Sequence, residues 1–193
     1  MEYPTNQAHL RGNLLELPVF SHESNGKRFF RFFLEVARLS GAVDTLPVII
    51  QQECLNELDL SGGEMLDVVG QVRSHNLRTS TGRRLLIFVF GQTLTAQDGP
   101  AVNEISLCGN LCREPSYRRT PLGREICDVM LAVPRPSRRA DYIPCILWGS
   151  LAQKAARCHV REQMVCPVGC KAGFTPSSHP RAHRRRPPTR SPR

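Results

Sequence analysis

Tryptophan occurs once in this 193-residue chain, at position 148, and tyrosine only three times. No apolar run approaches the roughly 20 residues that a membrane-spanning helix needs. The start, M-E-Y-P-T-N-Q, lacks the basic-then-apolar character of a secretory signal, so a cytoplasmic location is expected. Thiols stay reduced there, and the eight cysteines read mostly as small buried apolar residues. Cys108/Cys112 and Cys166/Cys170 have a spacing that suggests a metal, but the first pair lies in a strand-like run with no turn, which argues against one. The six histidines form no constellation with cysteines or carboxylates. No catalytic residue, cofactor or metal is therefore expected. Acidic residues are missing altogether from 167–193, where seven Lys/Arg stand.

The formal charge of +9 is unevenly spread. Residues 1–100 hold 9 Lys/Arg against 11 Asp/Glu, and residues 101–166 hold 10 against 6, so the basic excess belongs to the second half and the tail. Such an excess invites an anionic partner. The second half also holds the stretch D-Y-I-P-C-I-L-W-G-S-L-A, from Asp141 to Ala152. In a strand, side chains alternate faces, so Tyr142 and Trp148 share one while Ile143, Cys145 and Leu147 take the other. Two readings fit this pattern. The aromatic face is a platform for flat rings such as nucleobases, or it packs under a loop or a second subunit.

In chain order, a strand runs from Asn6 toward Pro18, and Val19 to Lys27 has turn composition, with Asn25-Gly26 as a hairpin signal. In the next strand Phe30, Phe32, Leu34 and Val36 form one face. Phe29 and Phe33 share the outward face, as a stacking or a dimer surface. T-L-P-V-I-I-Q-Q is a third strand, Leu55 to Leu60 a short helical or turn segment, M-L-D-V-V-G-Q-V-R-S a fourth strand with a bend at Gly70, and R-R-L-L-I-F-V-F-G a fifth. From Asn103 the pattern restarts. A shift of 97 residues aligns Asn6–Ile50 with Asn103–Leu147 without a gap, and 14 of the 45 positions are identical, too many for chance. A repeat of this length is a domain duplication. The expected fold class is all-β: two tandem OB-fold barrels, each a five-stranded Greek key with one short helix, the second incomplete and followed by a disordered basic tail. The expected boundaries are 1–96 for the first barrel, 97–102 for a linker, 103–166 for the second and 167–193 for the tail.

The second unit, with its N-x3-L-x-G-N-L opening, its R-E-P-x4-T-P-x-G hairpin, its L-A-V strand end and its W-G-x-L-A exit, resembles the bacterial single-stranded DNA-binding protein family from Asn103 to about Val165. The first unit resembles it more weakly. The resemblance implies base stacking on Tyr142 and Trp148, whose counterparts in the first unit are Thr45 and Gln51. It implies phosphate contacts from Arg118, Arg119, Arg124, Arg135, Arg138 and Arg139. The first unit then reads as a degenerate copy for assembly or weak binding. The implied partners are single-stranded DNA, a second copy giving four OB units, and replication and repair proteins, at the nucleoid and with no membrane. A partner-binding module like primosomal replication protein N, an RNA binder and an inactive remnant are the competing readings.

The chain departs from the family at its end. The acidic tip of the family is replaced by S-S-H-P-R-A-H-R-R-R-P-P-T-R-S-P-R, and after Val165 the rest of strand four and strand five do not follow. Codons can be chosen for Pro167 to Ser177 that, read two bases later, encode G-G-L-Q-S-R-V-Y-T-K. The expectation is a frameshift near Cys166, which would leave the second barrel open.

Overall fold

A computed structural model describes residues 5–38, 41–80, 82–158 and 160. The expected continuation of the second barrel and the tail both lie outside the described residues.

The first barrel closes on itself. Strand β1 (Asn6–Leu14) pairs with β5 (Met65–Thr79), β5 with β6 (Gly82–Ala96), and β6 in parallel with β4 (Val43–Gln51). Strand β4 pairs with β3 (Lys27–Ala37), and β3 returns to β1 through Leu34 opposite Leu14. Alternation fills the interior: Leu10, Leu34, Leu46, Val48, Ile50 and Val68 are fully buried. The expected helix is reduced to one 3-10 turn at Gln52–Cys54. The bend at Gly70 is present as a register shift between Val69 and Gly70.

The turn-like segment after Pro18 is instead a strand, β2 (Val19–Ser24). Asn25 and Gly26 both take positive φ, 52° and 72°, which suits a two-residue hairpin turn and folds β2 back onto β3. Phe29 is consequently not an outward surface. It is 9% exposed, and the His22 ring stacks on it at 4.8 Å.

The second unit repeats this plan with β7 (Val102–Leu107), β8 (Asn110–Leu111), β9 (Ser116–Arg119), β10 (Glu125–Pro134), β11 (Ala140–Trp148) and helix α1 (Ser150–Ala155). Leu111 opposes Leu131 as Leu14 opposes Leu34. The identical glycines have one cause. A Cβ on Gly12 would lie 2.3 Å from the Glu35 carbonyl oxygen, and one on Gly109 would lie 2.5 Å from that of Ala132. In each unit the first strand crosses the third too closely for a side chain.

The units join edge to edge. β1 and β7 pair antiparallel with Ala8 opposite Ile105, which are repeat counterparts, so the tandem has the isologous geometry of a two-fold dimer.

Among the described residues, one repeated residue is satisfied in one unit alone. Asn6 brackets Val72 in β5, accepting from its N–H and donating to its carbonyl, both at 2.8 Å. Asn103, its counterpart, has both amide atoms buried with no hydrogen-bond partner among the described residues. Asn6→Ala should therefore cost about 1–3 kcal/mol of stability by orphaning a buried backbone pair. Denaturant titrations of wild type and variant check this.

Candidate nucleic-acid interface

β11 is amphipathic in the expected sense. Ile143 and Leu147 face the core at 1% and 5% exposure, with Cys145 partly buried beside them. Tyr142, Ile146 and Trp148 stand outward at 49%, 50% and 48%, and Pro144 is exposed between them. Six residues of strand span about 20 Å. The two rings thus bracket an apolar strip long enough for several nucleotides. Ile146 was missed in the sequence reading, although its even spacing from both aromatics was the signal that placed it there. Tyr117, 40% exposed on β9, opposes core-facing Cys127 and so lies off the platform face.

The arginines divide by what they already hold. Cross-strand neighbours share a face, and Arg118, Ile126 and Trp148 form one such row, so Arg118 borders the platform at its Trp148 end. Its guanidinium lies 2.9 Å from Asp128. Arg119 pairs with Glu125 at 2.9 Å. Hydrogen bonds from Tyr117, Arg119 and Gln153 hold that carboxyl below its ordinary range. Arg124 lies in the β9–β10 turn, where its N–H donates to the Thr120 hydroxyl at 3.0 Å. Arg138 and Arg139 sit in the β10–β11 turn, with Arg138 at a φ of 59°. None of these last three has an ion pair among the described residues, and all are exposed.

Arg135 is placed differently. Its Nε donates to Asp141 at 2.6 Å, and a second nitrogen donates to the other carboxylate oxygen. Asp141 is fully buried and also accepts from Arg73 at 3.1 Å and from the Ser74 N–H at 2.6 Å. Ser74 in turn takes the Tyr142 N–H on its hydroxyl at 2.9 Å. Burial alone would push the Asp141 carboxyl up, but bonds from Arg135, Ser74 and Arg73 win and hold it below the usual carboxylate range. The first unit repeats the inner half of this clasp, Arg38 on Asp44, and among the described residues no partner from the other unit joins it. Arg135 is thus a positioning residue: it and Arg73 lock the Tyr142 end of the platform to the first barrel.

No helix among the described residues is long and apolar enough to cross a membrane.

Comparison with known proteins agrees with this geometry. Residues 102–165 match the single-strand binding protein family. A single-stranded DNA-binding protein of Halalkalibacterium halodurans is 38% identical over 61 residues, 28% of this chain and 36% of the relative. One of Oceanobacillus iheyensis is 34% identical over 70 residues, 33% and 44% of the two chains. The chain thus spans less than half the length of these relatives. The crystal structure of wild-type single-stranded DNA binding protein from Thermus aquaticus superposes with a TM-score of 0.64 at 24% identity, covering 80% of this chain and 79% of that one. That likeness extends the shared fold over both units. Residues 102–165 of this chain are thus similar to the single-strand binding protein family.

Proposed function

We propose that the chain binds single-stranded DNA without sequence preference and without catalysis, in replication, recombination or repair. The observation that carries this reading is the strip of Tyr142, Pro144, Ile146 and Trp148, half exposed on a strand whose other face is buried. Bases stack on the two rings, each worth about 1–3 kcal/mol. Arg124, Arg138 and Arg139 carry uncompensated charge to the phosphates. Arg118 and Arg119 exchange a carboxylate for a phosphate on binding.

The reading is tested by fluorescence anisotropy of labelled oligo-dT against a duplex of equal length over a salt series. Single strands should bind more tightly, with log affinity falling at about 0.7 per neutralised phosphate in log salt. Equal affinity for the duplex would overturn it. Removing Arg138 and Arg139 together should flatten that slope by about 0.7 per residue while leaving the fold intact. Arg135→Ala should lower stability instead, because its charge is spent on Asp141.

A further inference from the structure

The platform strand β11 is held differently at its two ends. It closes the order β11-β10-β8, so among the described residues β10 is its one strand partner. At the Trp148 end the tie comes from within the second unit, where the Gly149 N–H donates to the Glu125 carbonyl at 3.0 Å. At the Tyr142 end the tie comes from the first unit. The Tyr142 N–H donates to the hydroxyl of Ser74, on β5, at 2.9 Å.

Ser74 is fastened to this corner at each of its polar atoms. Its N–H donates to Asp141 Oδ1 at 2.6 Å, its hydroxyl donates to the same oxygen at 3.2 Å, and its carbonyl accepts from Arg135 at 3.3 Å. A carboxylate only accepts, so the hydroxyl proton is committed to Asp141 and an oxygen lone pair is left to meet the Tyr142 N–H. Arg73, the preceding residue, donates to Asp141 Oδ2 at 3.1 Å and to the side-chain carbonyl of Gln71. The serine therefore grips residues 141 and 142 from a strand whose own register is set by β1 and β6.

We propose that Ser74 of the first unit is a positioning residue for the stacking platform of the second: its hydroxyl fixes the backbone at Tyr142, so that the ring is in place before a base arrives. Through this contact the first unit contributes to single-strand binding without itself touching a base. This inference rests on the platform reading above and deepens it. The gain is preorganisation, since a ring ordered before binding loses less freedom when a base stacks on it.

Ser74→Ala removes the hydroxyl alone and keeps both backbone bonds. Its thermal midpoint should move little, while oligo-dT affinity, read by anisotropy, should fall about two- to ten-fold, the range for one side chain left to be ordered on binding. No charge is lost, so the salt slope should hold. Ser74→Thr keeps a hydroxyl on the same carbon and should bind as wild type does. The deciding readout is a pair of double-mutant cycles. In a Tyr142→Ala background Ser74→Ala should cost no further affinity, whereas in a Trp148→Ala background it should cost its full factor. A merely structural serine would weaken binding equally in both backgrounds. That result, a Ser74→Ala variant as tight as wild type, or a Ser74→Thr variant as weak as Ser74→Ala, would overturn the inference and leave the platform standing. Trp148 emission unchanged by saturating oligo-dT in wild type would remove both.

Discussion

Trp148→Ala and Tyr142→Ala should each weaken oligo-dT binding by about 1–3 kcal/mol, and the salt slope should stay where it was. Both side chains are about half exposed on the face of β11 turned away from the core, so their loss removes ring area for stacking and little packing. No guanidinium leaves with them, so the count of neutralised phosphates is unchanged. Thermal midpoints should move little, and that separates a binding defect from an unfolded protein. Thr45→Ala and Gln51→Ala, at the counterpart positions, should leave affinity almost untouched because neither side chain offers a ring. The comparison is made by anisotropy at one salt concentration and repeated over a series. Equal losses at the two sets of positions would contradict the assignment of the platform to the second unit.

Asp141→Ala should be strongly destabilising. The carboxylate is fully buried and accepts from Arg135, Arg73 and the Ser74 backbone. Its removal leaves two part-buried guanidinium groups without a counter-charge, and breaking a buried pair from one side costs about 3–5 kcal/mol. Asp44→Ala should cost less, because among the described residues Asp44 holds Arg38 alone and that guanidinium is 31% exposed. Guanidinium denaturation curves of the two variants give the comparison directly. Acid should act on the same group. The folded state holds the Asp141 carboxyl below its usual range, so its contribution is complete above the ordinary aspartate pKa of about 3.9 and is lost as pH falls through the lower folded value. In the Asp141→Ala variant that part of the acid sensitivity should vanish, leaving a flatter stability profile below about pH 4.

The repeat makes much of this legible in the sequence. Several positions identical between units have a structural job that recurs. Gly12 and Gly109 allow two strands to cross, Leu34/Leu131 and Val36/Val133 fill the two cores, and Arg38–Asp44 and Arg135–Asp141 tie each third-strand loop. The outward placement of Tyr142 and Trp148 followed from alternation alone, since a period of two needs no knowledge of the partner strand. What alternation could not supply was the company each residue keeps. Arg135 looked like any loop arginine, because its partnership is completed by Arg73 and Ser74 in the other unit. The burial of Phe29 depends on β2, whose existence turned on a two-residue hairpin that brings His22 back over it. Asn6 and Asn103 read identically, yet one holds a strand and the other holds nothing among the described residues.

The central claim is that bases stack on this platform, and the single tryptophan of the chain lies within it. Titrating oligo-dT into the protein at low salt while following Trp148 emission therefore reads the site with no background from other indoles. Stacking predicts saturable quenching that is reversed by added salt and is absent with an equal concentration of duplex. Emission unchanged by saturating oligo-dT would contradict the account, even if binding were seen by another method.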